Sequence, residues 1–251
     1  MGFFDRFKSK PESSAVADGS AASDRSAARL GKVAGDKHAQ NYDRIEAIDA
    51  LVKLGTATSA GMLLKRFTFH IDPSITDQDE KEAAMRGVLA AGEAALEPIR
   101  AFSERAESLA WPLKILRELL PAERYQAEVL ALLERFDTEY TRNTDPKQQL
   151  IAELEHLISD SARQAAERFL DDVSDDIRWS AVVATLAQGD PASAPALARV
   201  LADEESMRVR TRIAEGLAAR GWEVAADLHE STRRALPSGF ALGDDGKVRR
   251  R

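Results

Sequence analysis

Histidine and carboxylate side chains are the groups in this chain whose types and spacing could support metal or acid–base chemistry. Glu153 and His156 have the Glu-x-x-His spacing of di-iron helical bundles. Such a centre needs a second Glu-x-x-His and two more glutamates, and the sequence has no second copy. The other histidines, His38, His70 and His229, share no metal-ligand spacing on one helix. We therefore predict no metal site and interpret Glu153 and His156 as a surface pair.

Sequence motifs for phosphate binding and nucleophilic catalysis are missing. The sequence has no Gly-rich phosphate loop, no Gly-x-Ser-x-Gly and no His-Glu-x-x-His. It also has no cysteine, which excludes disulfides, thiolate metal ligands and thiol-dependent attachment of a chromophore. The lack of cysteine fits a reducing, cytoplasmic compartment. We predict no catalytic residues, no cofactor and no enzymatic activity.

The net charge is distributed unevenly along the chain. The formal charge is −7, but residues 1–41 and 237–251 each carry +2, which leaves −11 on residues 42–236. Affinity for a phosphate backbone comes largely from Lys and Arg that replace counterions, so an acidic body disfavours nucleic acid as a partner. No stretch approaches the roughly 18 apolar residues of a membrane span.

One spacing recurs along the chain: a basic residue, then small and aliphatic residues, then glycine. Its four copies occupy residues 44–55, 81–92, 178–189 and 210–221. A repeated amphipathic helix with small residues on its inner face is typical of stacked helical arrays. The alanines predicted to lie on that face are Ala47, Ala84, Ala181 and Ala214.

Helical periodicity begins at Asn41 and continues to about residue 235, with proline and glycine between the helices. The six predicted helix pairs are 43–54 with 58–67, 79–91 with 94–105, 109–119 with 122–136, 146–158 with 161–171, 175–187 with 192–202, and 206–219 with 222–235. Residues 66–72 instead alternate with period two, which predicts an extended stretch that lays Phe67, Phe69 and Ile71 along the helices.

The beginning of the chain has a different composition. Phe3, Phe4 and Phe7 fall on one side of a short helix, with charged residues on the other side. We interpret residues 1–10 as a peptide that docks weakly on a membrane surface or on a second protein; a floppy start with incidental phenylalanines is the alternative. Residues 11–40 have few large apolar side chains, so we expect a disordered linker.

The end of the chain, residues 237–251, is basic. It contains an Asp-Gly dipeptide that could close a small hairpin, and we favour an extended, mobile tail over that alternative.

Residues 177–189 and 209–221 resemble HEAT-like repeats, and are closest to the short bacterial kind named after phycobilisome lyases. In that family each repeat is an antiparallel helix pair, and the pairs stack into a curved rod. The resemblance implies an all-α fold, with a right-handed α-solenoid of about six HEAT-like helix pairs over residues 41–236. An N-terminal peptide and linker (1–40) would precede the solenoid, and the basic tail (237–251) would follow it.

The resemblance implies a function more weakly than it implies a fold. It points most often to a non-enzymatic scaffold or adaptor that binds protein partners, and this is the function that we expect. The alternative is an enzyme of the HEAT type, either pigment lyase-like or DNA glycosylase-like. A glycosylase would need a basic, aromatic-lined groove, which the acidic body argues against.

In this family the second helix of each pair usually lines the concave surface. We predict exposed contact residues on these helices, because Tyr and Arg dominate the energetics of interfaces. The predicted partner-binding residues are Arg100, Arg124, Tyr125, Glu128, Arg168, Arg199 and Arg233.

The basic residue of the repeat, at Arg44, Arg178 and Arg210, has two interpretations. One is a row of guanidinium groups that faces an anionic partner. The other, which we favour, is a ladder of ion pairs between repeats, because the planar guanidinium binds carboxylates at two points. The acids considered as partners are Asp171, Asp172, Asp175, Asp176 and Asp203.

Overall fold

A computed structural model of the protein describes residues 13–251, and only the backbone of residues 13–21. The predicted docking residues Phe3, Phe4 and Phe7 lie outside the described residues. The chain divides into two compact units, which we call unit 1 and unit 2, at the peptide bond between Ala106 and Glu107. Each unit is described by itself below.

Unit 1 is built from helices joined by short turns. The helices are α1 (Ser13–Ala34), α2 (Asn41–Leu54), α3 (Ala57–Leu64), α4 (Ser74–Ala90) and α5 (Leu96–Ser103). Helix α2 ends at Gly55, whose φ of 59° is the left-handed conformation that closes a helix at low cost in glycine. The next helix, α3, begins with a capping box in which the side chains of Thr56 and Ser59 each bond the other residue's backbone N–H.

Unit 2 continues with helices and ends in a two-stranded hairpin. The elements are α6 (Ala110–Leu119), α7 (Ala122–Leu133), α8 (Asp145–Glu153), α9 (Asp160–Arg168), α10 (Asp175–Ala187), α11 (Ala194–Asp203), α12 (Met207–Arg220), α13 (His229–Ala235), β1 (Phe240–Leu242) and β2 (Val248–Arg250). None of the described helices is long and apolar enough to cross a membrane.

The described chain is mostly helical, and a helix is present in each of the twelve predicted segments, as α2 to α13. Helix α2 packs on α4 within unit 1, and in unit 2 α10 packs on both α8 and α12. The four alanines predicted for the inner face are all buried, which confirms the helical register. Their small size lets neighbouring helices approach closely.

The first helices of successive pairs run parallel. In unit 1, Arg44 near the start of α2 contacts Glu80. A Cβ placed on Gly87, further along α4, would lie 2.6 Å from Cγ2 of Val52, near the end of α2. In unit 2 the starts of α10 and α12 are joined by Arg208 and Asp176.

The far ends of α10 and α12 also meet, because a Cβ on Gly216 would lie 2.3 Å from Cδ1 of Leu186. Helices α8 and α10 show the same order, with Gln148 bonded to Ser180 and the carbonyl of Leu154 bonded to Gln188. The starts of the first helices therefore lie along a common edge within each unit.

The prediction of a disordered linker over residues 11–40 is wrong, because α1 covers most of it and packs against α2 and α3. Ala27 and Ala34 are fully buried, and a Cβ on Gly31 would lie 2.4 Å from Sδ of Met62. Small residues allow this close packing without large apolar side chains. The sequence criterion considered only large apolar groups and therefore missed the helix.

The prediction of an extended, mobile C-terminal tail is also wrong. Strands β1 and β2 pair antiparallel, with Phe240 opposite Arg250 and Leu242 opposite Val248. Phe240, Leu242 and Val248 are buried against unit 2, and the backbone N–H of Val224 donates to the carbonyl of Gly246. The apolar side chains of the hairpin have a surface to cover, so the ordered alternative is favoured over the mobile one.

The extended stretch predicted at residues 66–72 begins instead as a 3-10 turn, Lys65–Thr68, and does not form a strand. Phe67, Phe69 and Ile71 are only half-buried, whereas Arg66 is completely buried. Burial does alternate with period two over residues 67–72, since these three apolar residues are half-buried and the residues that follow each of them are exposed. The most deeply buried residue of the segment is nevertheless a charged one, Arg66.

Candidate functional site

Five charged side chains of unit 1 form a continuous buried network, which we call the charge chain. Its members alternate in sign in the order Arg44, Glu80, Arg66, Asp77 and Lys81. The successive nitrogen–oxygen distances along it are 3.1, 2.6, 2.7 and 2.7 Å. All five residues are less than 9% exposed. These five side chains together therefore place a net charge of +1 in the interior of unit 1. Buried ions of this kind must be paired, because their desolvation costs several kcal/mol each, in order of magnitude.

Local structure between α3 and α4 positions the middle of the charge chain. The 3-10 turn after α3 directs Arg66 inward, where its Nη1 donates to the carbonyl of Phe69 at 3.2 Å. The guanidinium also lies over the ring of Phe69, 4.4 Å from the centroid. Asp77 accepts a hydrogen bond from the backbone N–H of Ile71 at 3.1 Å, which fixes the loop against α4. The irregular segment therefore places Arg66 next to the carboxylates of Glu80 and Asp77.

Asp77 is ionised over a wide pH range. Burial would raise its pKa, but hydrogen bonds from Lys81 and Arg66 outweigh burial and hold the pKa well below its ordinary value of 3.8. Nδ1 of His70 lies 3.0 Å from Nζ of Lys81 and 3.3 Å from Oδ2 of Asp77. The imidazole itself is 88% exposed, so it connects the charge chain to solvent.

Two ion pairs of unit 2 have a buried carboxylate, that of Asp172 or that of Glu204. Lys147 and Asp172 are both buried, 2.7 Å apart, and Lys147 also donates to the carbonyls of Asp137 and Glu139. Arg178 binds Glu204 at two points, with both nitrogen–oxygen distances 2.7 Å.

Pairing shifts the pKa of both Arg178 and Glu204. Burial would raise the pKa of Glu204, but hydrogen bonds from Arg178 and from the backbone of Ser206 hold it below its ordinary 4.5. Its hydrogen bond to Glu204 raises the pKa of Arg178. The pair therefore stays ionised at neutral pH.

The predicted ladder of ion pairs between repeats is confirmed for Arg44, which lies in α2 and binds Glu80 of α4. Arg178 also binds a carboxylate, but its partner Glu204 follows α11, the second helix of the same pair. The acids named as partners are wrong for Arg178, because it pairs with Glu204 and reaches only the backbone carbonyl of Asp172. Arg210 binds the carbonyl of Ala235 instead of a carboxylate. Asp175 and Asp176 do lie in ion pairs between repeats, with Arg208 as their partner.

The predicted partner-binding residues have different environments. Four arginines of that set are exposed: Arg124, Arg168, Arg199 and Arg233. Arg100 and Glu128 are half-buried.

Tyr125 contradicts the prediction of exposure, since only 4% of it is exposed. Its hydroxyl donates to Glu153 at 2.6 Å, and burial together with that hydrogen bond raises the pKa of Tyr125. Tyr125 lies on the face of α7 that also buries Val129, Leu132 and Leu133. The preference of tyrosine for interfaces does not indicate which face of α7 is buried.

Glu153 and His156 do not form a functional pair. Glu153 accepts hydrogen bonds from Arg117 and Tyr125, and His156 is exposed beyond the end of α8. Among the side chains of residues 22–251, no group of three or more His, Asp or Glu is arranged to hold a metal ion.

Exposed apolar side chains mark the common edge of each unit. Tyr42 and Ile75, in the first turns of α2 and α4, are 74% and 70% exposed. In unit 2, Tyr140 and Val173 precede α8 and α10, and Met207 begins α12; their exposed fractions are 81%, 58% and 57%. We call these five residues the apolar edge. Tyr42 and Ile75 are the second residues of their helices, whereas Tyr140 lies five residues before α8, and α6 has no exposed large apolar residue at its start.

A groove of about 600 Å³ lies beside the apolar edge of unit 2. Its lining includes Val173 and the predicted contact residue Arg199, together with the acidic residues Asp171, Asp203 and Glu205. The groove therefore combines an apolar wall with mainly negative charge.

Comparisons of this chain with protein-family models, with curated proteins and with solved structures find no match.

Proposed function

We propose that the protein is a non-enzymatic scaffold whose HEAT-like helix pairs stack within each unit and bind a protein partner along the apolar edge. The observation that supports the proposal is that, in each unit, exposed apolar residues lie near the starts of first helices, with α6 as the exception. Single exposed apolar side chains are ordinary on protein surfaces, but exposed apolar patches within a unit are typical of interaction sites.

The environment of the buried charges supports a binding role over a catalytic one. Glu80, Asp172 and Glu204 are each neutralised by a cation. A catalytic acid or base works with a pKa near the operating pH, whereas the pKa values of Asp77 and Glu204 are shifted away from neutrality. These pairs hold successive helices together and leave the surface to recognise the partner.

Site-specific photo-crosslinking tests the proposal. A photoreactive amino acid is placed at position 140, 173 or 207 in the full chain, which is then irradiated in lysate of the source cells. We expect discrete protein adducts from these three positions. Position 158 is the matched control, because Ile158 is 61% exposed but precedes a second helix.

Two results would contradict the scaffold. The first is an identical adduct pattern at position 158 and at the edge positions, or no protein adduct at all. The second is substantial affinity of the full chain for duplex DNA at low salt, because the acidic body should disfavour it.

A further inference from the structure

A pocket in unit 1 lies against both ends of the charge chain. It has a volume of about 420 Å³ and is lined by residues that include Lys37, His38, Asn41, Arg44 and His70. Arg44 is the first member of the charge chain, and His70 is bonded to Lys81, the last member. The same opening therefore borders the two terminal cations, one directly and the other through an imidazole.

Because the charges alternate, the two terminal cations of the charge chain, Arg44 and Lys81, are incompletely neutralised. Each carboxylate of the chain lies between two cations, whereas Arg44 and Lys81 have a chain carboxylate on one side only. Nη1 of Arg44 donates to the carbonyl of Ala39 and Nη2 donates to Glu80, so each terminal nitrogen retains a second hydrogen. An anion bound in the pocket next to Arg44 would add one more negative charge to the alternating series of charges.

The backbone next to the pocket adds donors. Gln40 precedes α2 without a capping hydrogen bond from its side chain, and both Gln40 and Asn41 line the pocket. The first N–H groups of a helix have no acceptor within the helix, and the positive end of the helix dipole lies there. Lys37 contributes a further exposed ammonium at the rim.

The lining also includes one carboxylate, Asp72, which restricts the anion that fits. A fully deprotonated anion would be repelled by Asp72. Inorganic phosphate keeps at least one P–OH near neutral pH, and this hydroxyl can donate to the carboxylate while the other oxygens accept from the cations. Sulfate has no such hydrogen.

We propose that this pocket binds a phosphate group through Arg44, Lys37 and the start of α2, with Asp72 accepting the P–OH hydrogen. The pocket adjoins Tyr42 of the apolar edge, but none of the proposed contacts uses an apolar side chain, so phosphate binding can fail without affecting the scaffold proposal. Inorganic phosphate, which keeps the required P–OH, is the ligand proposed and the probe for the test.

The experiment titrates inorganic phosphate into the ¹⁵N-labelled full chain at low ionic strength and follows the amide resonances of Asn41 and Tyr42. We expect saturable shifts of both amides, and an affinity for sulfate at least about tenfold lower, because one charge-assisted hydrogen bond is lost. Lys37→Glu should weaken phosphate binding about tenfold or more. Lys53→Glu makes the same charge change at the other end of α2 and should leave the affinity unchanged.

Asp72→Asn tests the selectivity of the pocket. The substitution removes the negative charge that repels sulfate, so it should reduce the ratio of the affinity for phosphate to the affinity for sulfate. Lys37, Lys53 and Asp72 are all exposed, so these variants should keep the fold. The proposal is overturned if phosphate does not shift the two amides, or if Lys37→Glu and Lys53→Glu reduce the affinity equally. Equal affinity of the wild type for sulfate and phosphate would refute the role of Asp72.

Discussion

The two units bury ionic groups in different ways. In unit 1, one carboxylate of Glu80 holds two arginines, and Asp77 joins the second of them to a lysine. In unit 2, Lys147 with Asp172 and Arg178 with Glu204 form pairs that share no member. A pair can be lost without affecting other ions, whereas a network transmits the loss of one member to its neighbours.

One of the unit 2 pairs also differs from the network in exposure. The side chains of Arg66 and Glu80 are 0% and 1% exposed and those of Lys147 and Asp172 are 1% and 0% exposed, whereas that of Arg178 is 18% exposed. Water can therefore reach Arg178 and compensate in part for a missing Glu204. The comparison indicates that position in a network, more than the number of ion pairs, decides how much a single charge matters.

Removing Glu80 should give the largest effect. Glu80→Gln leaves Arg44 and Arg66 buried without a carboxylate between them, and should lower the free energy of unfolding by about 3–5 kcal/mol. Glu204→Gln, the matched change in unit 2, should cost less, about 1–3 kcal/mol, because Arg178 is partly solvated.

Urea unfolding can assign each loss to its unit. All three tryptophans, Trp111, Trp179 and Trp222, lie in unit 2, so their fluorescence reports that unit, whereas far-UV circular dichroism reports helices of both. We expect Glu80→Gln to lower the dichroism midpoint more than the fluorescence midpoint. Equal losses for Glu80→Gln and Glu204→Gln would show that the network and the pair are equivalent.

Two glycines at the same repeat position should give a medium and similar effect in both units. Gly87 and Gly216 each follow the basic residue of the repeat by six positions, and a Cβ on either would overlap a neighbouring leucine. Gly87→Ala and Gly216→Ala should each destabilise the protein by about 1–3 kcal/mol through overpacking.

Gly61→Ala is the control for the glycine variants. Gly61 also lies within a helix, but the nearest atom to its added Cβ is at 3.5 Å, so the higher helix propensity of alanine should stabilise by up to about 1 kcal/mol. If Gly87→Ala and Gly216→Ala were stabilising as well, the close approach of successive first helices would be refuted.

The pH dependence of Asp77 should give the smallest effect. Its pKa in the folded protein is lower than in the unfolded chain, so its stabilising contribution is present above about pH 4 and is lost as the pH falls through the folded pKa. The difference in unfolding free energy between wild type and Asp77→Asn should therefore be larger at pH 7 than at pH 3. Urea titrations at the two pH values measure it, and a constant difference would contradict the ionic role of Asp77.

The helix pairs could be predicted from the sequence because their signals are local. Spacing of apolar residues, glycine such as Gly55 after a helix, and proline such as Pro146 at a helix start depend on a few neighbouring positions. The buried alanines follow from the same period. These features remain the same whichever helices pack against one another.

The charge chain could not be predicted because it depends on which carboxylate meets which cation in three dimensions. Glu80 is one of 42 acidic residues, and nothing in its immediate sequence distinguishes it. One signal did exist. The inward stripe of α4 that contains Ala84 and Val88 extends backwards to Asp77, Glu80 and Lys81, so charges occupy core positions. Charged residues in the register of an apolar stripe indicate a buried ionic network.

Helix α1 and the hairpin of β1 and β2 limit where a further helix could pack in each unit. In unit 1, α1 covers part of α2 and α3, and in unit 2 the hairpin covers part of α12 and α13. Helical repeats need a covering element of this kind on an otherwise bare face in order to remain soluble. A helix from another molecule could therefore pack on either of these faces only after it displaced the element that covers it.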